Sequence, residues 1–356
     1  MNIAIDISPL KSGNFLQHRV RGTGFYLENL RSSLLKYYPN NKYTFFTRGK
    51  KLPNNIKLVH YPYFEPFFLT LPFFSKHKTI VTVHDLTPLV FPEYFPKGIK
   101  GWLKWQIQKI SLKKANTIIT DSESSKKDII KYAGINEEKI HVVYLAAGEQ
   151  FERLKTPDLR IKELRTKYEL PEKFLLYVGD VTWNKNLPRL IEACLKANVP
   201  LVMTGKALVD SDFDRKNLWN QDLVKIHKLC AGKKNIVRIG FVSNEDLVNL
   251  YNIAQVFVMP SLYEGFGLPI LEAMACGCPV ITSKEGSLPE VAGDAAFYTD
   301  AYDSDKIAKD ITEVFEDEKL RKELSVSGLK QSSKFSWKKT AEETIKKYEK
   351  VLKHEG

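Results

Sequence analysis

Short apolar runs alternate with segments of helical periodicity along this chain. The runs that predict strands lie at residues 2–8, 43–48, 56–60, 79–84, 117–121 and 141–144, and again at 174–179, 200–204, 236–240, 256–259, 279–282 and 296–299. Between them, helical patterns cover residues 25–38, 99–115, 123–133, 187–197, 245–254 and 337–352. Alternation of this kind predicts an α/β fold, with parallel sheets covered by helices on both faces.

The pattern of strands pauses at residues 148–173, where a charged stretch contains Pro157 and Pro171. A chain of 356 residues is also longer than one typical core. We therefore expect two Rossmann-like, doubly wound domains at residues 1–160 and 161–336. Because ligands of such sheets bind beyond the carboxyl ends of the strands, we expect both domains to face a cleft with those ends.

The segment with the clearest chemistry is SLYEGFGLPILEAMACGCPVI, residues 261–281. Glu264 precedes a turn bracketed by Gly265 and Gly267, and Glu272 lies about one turn into the helix that follows. A glycine turn at a helix start points backbone N–H groups and the positive end of the helix dipole at a ligand. An anion site beside a carboxylate that can accept hydrogen bonds from two sugar hydroxyls predicts a nucleotide sugar.

This segment closely resembles the signature of family 4 glycosyltransferases, which are retaining enzymes of GT-B fold. Their pattern of two glutamates separated by seven residues is complete here as Glu264, Gly265, Phe266, Gly267, Leu268, Pro269 and Glu272. The resemblance implies two Rossmann-like, doubly wound parallel-sheet domains that face an interdomain cleft. The N-terminal domain would bind the acceptor and the C-terminal domain the nucleotide sugar. It also implies that the last helix, within 337–356, packs back on the N-terminal domain.

The resemblance extends to residues 174–187, where Lys185 matches a lysine that grips the donor diphosphate. Asp180 and Asn184 occupy the two places where an arginine is usual, so the phosphate clamp has one cation fewer or takes one from elsewhere. Phe241 and Val242 match the place where related enzymes hold the nucleotide base, mostly through backbone groups.

Two features of the first half match the family less closely. His84 follows a buried strand and precedes Asp85, and related transferases have a histidine here that touches the donor sugar; a structural histidine is the alternative. Gly22 and Gly24, next to Arg19 and Arg21, match a glycine-rich loop near the donor phosphate and the acceptor. A plain turn is the alternative there.

The excess of positive charge lies in the first half of the chain. Residues 1–165 contain 27 Lys and Arg against 14 Asp and Glu, whereas residues 166–356 contain 27 against 28. A basic half predicts an anionic partner. The aromatic stretch 61–74 and the lysine-rich helix 97–114 favour an anionic membrane surface. A buried core with solvated lysines is the alternative, and no motif indicates nucleic acid.

Four cysteines without metal-ligand spacing, Cys194, Cys230, Cys276 and Cys278, predict no disulfide and a reducing compartment. The first residues lack a basic region, and no run is apolar enough to span a bilayer, so we expect a cytoplasmic protein, at the inner face of the plasma membrane. Asp-Ser-Asp occurs at 210–212 and 303–305. We interpret both copies as loops or helix caps, and we expect no metal.

The resemblance as a whole implies a retaining glycosyltransferase that moves a hexose from a GDP- or UDP-hexose to a glycan or lipid-linked acceptor hydroxyl. His84, Lys185 and Glu264 are its predicted catalytic residues, the donor is a substrate, and no cofactor is expected. Mannose is the favoured sugar, in cell-surface polysaccharide or glycolipid synthesis. A same-fold phosphorylase or nucleotide-sugar epimerase is the alternative, and a non-catalytic glycan- or lipid-binding module is a further one. An oxidoreductase is disfavoured because Leu27 stands where its third glycine would be.

Overall fold

The computed structural model describes residues 1–10, 20–154 and 159–353. The chain divides into two compact units, one formed by Met1–Ala146 with Phe335–Gly356 and the other by Ala147–Lys334. Each unit is built on one parallel sheet, and the expected α/β fold class is present in both.

The first unit contains a six-stranded parallel sheet in the order β2-β1-β3-β4-β5-β6. Its strands are β1 (Asn2–Asp6), β2 (Lys42–Phe46), β3 (Leu58–Tyr61), β4 (Lys78–Thr82), β5 (Thr117–Thr120) and β6 (Ile140–Val142). Its helices are α1 (Val20–Tyr37), α2 (Thr87–Val90), α3 (Gly98–Lys114) and α4 (Glu123–Asp128). A π-helical turn, Ile129–Ala133, continues α4 and ends at Gly134, which has a φ of 63°.

The second unit repeats this plan with the strand order β12-β11-β10-β7-β8-β9. The strands are β7 (Leu175–Val178), β8 (Leu201–Thr204), β9 (Ile236–Arg238), β10 (Val256–Met259), β11 (Val280–Ser283) and β12 (Phe297–Thr299). The helices are α5 (Leu159–Lys167), α6 (Leu187–Ala197), α7 (Gln221–Cys230), α8 (Asn244–Ile253), α9 (Leu268–Ala275), α10 (Leu288–Ala292), α11 (Ser304–Glu316) and α12 (Glu318–Ser332).

The central strands are buried on both faces. Every residue of β7, β8, β10 and β11 is buried. Parallel strands that helices cover on both sides need such continuous apolar runs. Each predicted strand is present, and the ends differ from the prediction only within the usual uncertainty of strand limits.

The last helix, α13 (Trp337–Lys353), belongs to the first unit and packs on α1. The indole of Trp337 lies 6.0 Å from the ring of Phe25, and the hydroxyl of Thr340 donates to the carbonyl of Tyr144 at 2.7 Å. Lys78, at the start of β4, donates to the carbonyl of Val351 at 2.9 Å. The helix therefore completes one face of the first sheet.

A side chain caps the start of α8. Ser243 accepts a hydrogen bond from the backbone N–H of Asp246 and caps α8. The four cysteines are free and buried. Within the part of the chain that the structure describes, no helix combines enough length and apolarity to cross a membrane.

Candidate functional site

Three glycines lie where β7, β8 and β9 end at the carboxyl edge of the second sheet. The N–H of Gly205 donates to the carbonyl of Gly240 at 2.9 Å, and a Cβ on Gly205 would lie 2.1 Å from the carbonyl oxygen of Gly179. Only glycine allows this approach of the two backbones. The edge where ligands of such sheets bind is therefore made of closely packed backbone.

Lys185 and Glu264 form an ion pair at this edge. The Nζ of Lys185 donates to both carboxylate oxygens of Glu264, at 2.7 and 2.8 Å. The lysine ends a 3₁₀ turn after β7, and Glu264 lies in the loop after β10, the neighbouring strand. Glu264 is buried and Lys185 is partly exposed. The structure thus brings two of the three predicted catalytic residues into direct contact.

Asn184 holds the two loops together. Its side-chain N–H donates to the backbone carbonyl of Tyr263 at 2.9 Å, and its backbone carbonyl accepts from the N–H of Leu262 at 2.7 Å. Asn184 occupies one of the places where the family resemblance predicts arginine. Its amide supplies no charge; it fixes the turn that carries Lys185 beside the loop that carries Glu264.

Ser287 fixes the loop that leads into α9 through hydrogen bonds to its backbone. The hydroxyl of Ser287 is 2.9 Å from the carbonyl oxygens of both Glu264 and Phe266. Gly267 precedes α9 with a φ of 102°, a left-handed conformation that favours glycine. Gly265 and Leu268 are partly exposed, whereas Phe266 is buried. The backbone of Gly265 is therefore accessible in this turn, beside the partly exposed Leu268 at the helix start.

Glu272 lies inside α9 and is buried. Its Oε2 accepts a hydrogen bond from the hydroxyl of Tyr251 on α8 at 2.9 Å. The ring of Tyr251 packs between Phe151 and Phe257, at centroid distances of 5.9 and 5.6 Å. Tyr251 was not predicted from the sequence, because no motif marks a tyrosine on one helix that orients a carboxylate on another.

Phe241 and Val242, the predicted base-binding residues, differ in exposure. Phe241 is 66% exposed, and Val242 is buried. Both follow Gly240, whose φ is 65°. The side chain of Phe241 is therefore on the surface, whereas that of Val242 belongs to the core.

In the first unit, His84 pairs with Asp121. The Nδ1 of His84 lies 2.6 Å from Oδ2 of Asp121, and the ring packs edge-on against Tyr26 at 4.8 Å. His84 Nε2 and Asp121 Oδ1 are both buried. Burial by itself lowers the pKa of His84, but the charge of Asp121 and the hydrogen bond to it outweigh burial and raise that pKa. The Asp121 carboxylate thus orients the imidazole and favours its protonated form.

Asp121 is a residue that the sequence-based prediction missed. It follows β5, which pairs with β4, and His84 follows β4. Adjacent parallel strands end at the same edge, so the pairing of these two strands was the missing signal. Asp85, which the sequence placed beside His84, accepts instead from the N–H of Thr87 at 2.9 Å.

A second histidine, His60, is a core residue. Its Nδ1 lies 2.7 Å from the hydroxyl of Tyr348 and its Nε2 lies 2.8 Å from the hydroxyl of Thr82. Burial lowers its pKa to about 3, so the imidazole is neutral. These two hydrogen bonds give His60 a structural role in the core.

The glycine-rich segment at Gly22 and Gly24 is helical and not a loop, while its predicted contact with the donor stays a prediction. Both glycines lie in α1, which begins at Val20, five residues before the predicted start. Gly22 lies in the first turn of α1 and Gly24 directly after it, where each glycine destabilises the helix by only about 1 kcal/mol relative to alanine. Arg19 lies outside the described residues, as does the side chain of Arg21.

The two Asp-Ser-Asp segments have structural roles. Asp303 caps α11 by accepting from the N–H groups of Asp305 and Lys306. Asp210 accepts from the N–H of Asp212 within a loop. Among the described residues, no three His, Cys, Asp or Glu side chains are grouped as a metal site.

Comparison with known proteins gives matches in both units. The family profile of glycosyl transferases group 1 matches residues 160–331, and that of glycosyltransferase family 4 matches residues 12–146. The O-antigen chain mannosyltransferase B of Escherichia coli is 33% identical over 287 residues, which cover 78% of this chain and 72% of that protein. The serotype-specific mannosyltransferase WbdA of Escherichia coli is 32% identical over 288 residues, 77% of this chain. That match spans only 34% of WbdA.

Solved structures share the fold over nearly the whole chain. The sucrose-phosphate synthase of Thermosynechococcus elongatus superposes with a TM-score of 0.74 at 18% identity, covering 99% of both chains. Anabaena Alr3699/HepE, solved in complex with UDP and glucose, gives 0.73 at 17% identity, covering 98% of this chain and 100% of that one. At these identities the likeness concerns the fold alone, and it confirms the two-domain α/β GT-B class.

Proposed function

The chain belongs to glycosyltransferase family 4, and we propose that it is a retaining enzyme that transfers a hexose from a nucleotide-diphosphate sugar to an acceptor hydroxyl. The acceptor class is a glycan or a lipid-linked saccharide, in the synthesis of cell-surface polysaccharide or glycolipid. Mannose is the first candidate for the sugar because the two Escherichia coli relatives are named mannosyltransferases. GDP- and UDP-hexoses are the donors to test.

The observation that carries this proposal is the Lys185–Glu264 ion pair beside the start of α9. A buried carboxylate that holds an ammonium group between neighbouring strand ends has little packing value. The pair places a cation where a diphosphate would meet backbone N–H groups at the helix start. Offsetting charge on a departing nucleotide is the main contribution that a protein makes to such a transfer.

Each residue then has a role in the proposal. Lys185 offsets the diphosphate charge, Glu264 positions Lys185 and meets the donor sugar, and Glu272 accepts from the ribose hydroxyls. The backbone around Gly267 faces the phosphates. His84, which pairs with Asp121 in the first unit, stays a predicted catalytic residue.

We propose that the leaving phosphate itself deprotonates the incoming hydroxyl on the same face of the sugar. The protein's part is then to orient the reactants and to stabilise charge. This route needs neither a cofactor nor a metal ion. We also propose that the enzyme works in the cytoplasm, at the inner face of the plasma membrane.

A thermal-shift screen tests the donor first. UDP, GDP, ADP and their hexoses are added to the purified chain, and selective stabilisation by one nucleotide identifies the donor. Incubation of that donor with candidate acceptors follows, and the anomeric configuration of the product is determined by NMR. We expect retention of configuration at the transferred sugar.

Lys185→Gln provides the matched test of the site. We expect kcat/KM to fall by ~10²-fold or more, because a preorganised charge at the leaving group is lost. Lys196→Gln is the control, since Lys196 also pairs with a carboxylate, Asp305, but on the exposed surface. Equal effects of the two substitutions, an inverted product, or epimerisation of the donor without transfer would each contradict the proposal.

A further inference from the structure

The outward face of α3 is apolar and exposed. Ile99, Leu103 and Ile107 are spaced by four residues and so form one stripe along the helix. Ile99 is 81% exposed and Leu103 is 51% exposed, and Trp102 beside them is 47% exposed. Single exposed apolar residues are ordinary, but a continuous patch of this kind marks an interaction surface.

The segment 69–74 extends this stripe. Phe74 is 79% exposed, Leu69 is 56% exposed and Phe73 is 43% exposed. We call the segment 69–74 together with the exposed face of α3 the α3 surface. It contributes eight of the sixteen exposed large hydrophobic side chains found in the described residues. That concentration separates it from the scattered apolar residues of the remaining surface.

Gln108 fixes the segment to the helix. This buried side chain accepts, at Oε1, from the N–H of Thr70 at 2.7 Å, from its hydroxyl at 2.9 Å and from the N–H of Leu71 at 2.8 Å. Its own N–H group donates to the carbonyl of Leu71 at 3.2 Å. The α3 surface is therefore one preformed surface and not a loop that happens to lie near a helix.

The charge around the α3 surface has one sign. Helix α3 contains five lysines and no acidic residue. The ammonium group of Lys114 lies 4.3 Å from the ring centroid of Phe73 and 4.6 Å from that of Phe74. Lysines beside an apolar stripe can bury their stems and extend their charges toward an anionic layer.

A cavity of about 510 Å³ adjoins the surface at the amino end of β4. Phe73, Phe74, Lys76 and Lys114 line it, together with Ser111. The Oγ of Ser111 is buried and has no hydrogen-bond partner in the structure. Cations beside an unsatisfied hydroxyl fit a phosphate group, and the neighbouring rings fit the start of an acyl chain.

We propose that the α3 surface binds an anionic phospholipid bilayer, with α3 lying in the plane of the headgroups and a lipid phosphate entering the cavity. An interfacial helix needs an apolar face, a basic border and aromatic residues at its edge, and the α3 surface has all three. A second copy of the chain fits less well, because a two-fold contact would set these lysines against each other. This inference deepens the proposed location at the inner face of the plasma membrane, and it does not depend on the proposed transferase activity.

Vesicle co-sedimentation of the full chain tests the proposal. One set of vesicles contains only phosphatidylcholine, and the other contains phosphatidylcholine with phosphatidylglycerol. We expect at least ~10-fold tighter binding to the anionic vesicles at low ionic strength, falling as salt is added. Equal binding to both sets, or none to the anionic set, would overturn the proposal.

Two variants separate the apolar and the basic contributions. Ile99→Gln with Leu103→Gln should weaken binding to both kinds of vesicle, by ~10-fold or more. Lys76→Gln with Lys100→Gln and Lys113→Gln should remove the preference for anionic lipid. The control substitutions lie in the second unit: Leu218→Gln with Val326→Gln for the first variant, and Lys234→Gln with Lys319→Gln and Lys330→Gln for the second. The proposal fails if the α3 variants bind as their controls do.

Two further measurements keep the outcome interpretable. Thermal stabilisation by the nucleotide found in the donor screen should be unchanged in all four variants, which separates loss of vesicle binding from loss of the proposed function. Analytical ultracentrifugation tests the competing occupant. The α3 surface would be assigned to a second copy if the chain forms a dimer and does not bind vesicles, and if the double substitution Ile99→Gln with Leu103→Gln dissociates that dimer.

Discussion

Lys185 and Glu264 show how two loops can produce one functional group. The ammonium lies between two carboxylate oxygens, so its position is fixed before any ligand arrives. Asn184 links the two loops, and Ser287 holds the loop of Glu264, both through backbone carbonyls. Preorganisation of this kind lets the charge act on a ligand without a further cost of ordering the side chain.

Glu272→Gln is the first test at this scale. Because the substitution removes a charged acceptor, we expect ~10-fold or greater loss of affinity for the nucleoside diphosphate, measured by calorimetry. Binding of inorganic pyrophosphate should be unchanged, since it lacks the ribose. Glu313→Gln, on the exposed face of α11, is the control. A variant that binds the nucleoside diphosphate like the unsubstituted chain would remove Glu272 from the ribose.

Asp121→Asn tests the pairing with His84. With the carboxylate gone, the strongest opposition to burial is lost and the pKa of His84 should fall from its raised value, although the charge of Asp85 still favours the protonated form. A raised pKa in the folded protein contributes stability that is fully present below the unfolded pKa and is lost as pH rises through the folded value. The variant should therefore lose most stability relative to the unsubstituted chain below about pH 6.5.

NMR titration of His84, with urea unfolding at pH 6 and pH 9, measures both effects. His60 gives an internal control, because burial already keeps its imidazole neutral. An unchanged pKa of His84 in the variant would show that Asp121 does not set its protonation.

At the scale of elements, single residues determine where strands, helices and loops begin and end. Gly205 allows β8 to end against the backbone that follows β7. Gly267 starts α9 in a left-handed conformation. Gln108 fixes a loop through hydrogen bonds, because its side chain accepts from the backbone N–H groups of residues 70 and 71, which lie outside any strand.

Gln108→Ala should lower the free energy of unfolding by ~2–3 kcal/mol. The substitution leaves the buried N–H groups of Thr70 and Leu71 without their acceptor, and each such group is costly. Urea unfolding measures the loss, and hydrogen exchange should quicken at residues 69–74. Gln106→Ala, on the same helix but less buried, is the control. Equal stability of the two variants would contradict this role.

At the scale of the whole molecule, the excess of positive charge belongs to the first unit, which is built from two separate segments of the chain. The unit formed by 1–146 and 335–356 contains 28 Lys and Arg against 14 Asp and Glu, whereas the unit 147–334 contains 26 against 28. The chain returns to the first unit through α13, whose lysines add to that excess. The α3 surface lies in this basic unit, and the Lys185–Glu264 pair lies in the other one.

Trp337→Ala tests the place of α13. The buried indole packs against Phe25 and Tyr26, so its removal should cost ~3–5 kcal/mol. Hydrogen exchange should quicken in α1 and β4, and peptides of the second unit give the internal control. Faster exchange that is confined to the second unit would contradict the assignment of α13 to the first.

The sequence by itself determined the α/β class, the twelve strands and the family. Local chemistry carries each of these: apolar runs mark buried strands, and Glu264 to Glu272 form one continuous motif. It also placed His84, Lys185 and Glu264 at strand ends. It failed at Gly22 and Gly24, because a helix start tolerates glycine and a loop motif looks the same.

Only the tertiary structure decided which side chains meet. Asp121 reaches His84, Tyr251 reaches Glu272, and Gln108 reaches residues 70 and 71, each across a long stretch of chain. Such contacts depend on strand order and helix packing, which no local pattern encodes. Exposure was decided in the same way: Trp102 and Trp105 look alike in the sequence, and only packing buries one and leaves the other on the α3 surface.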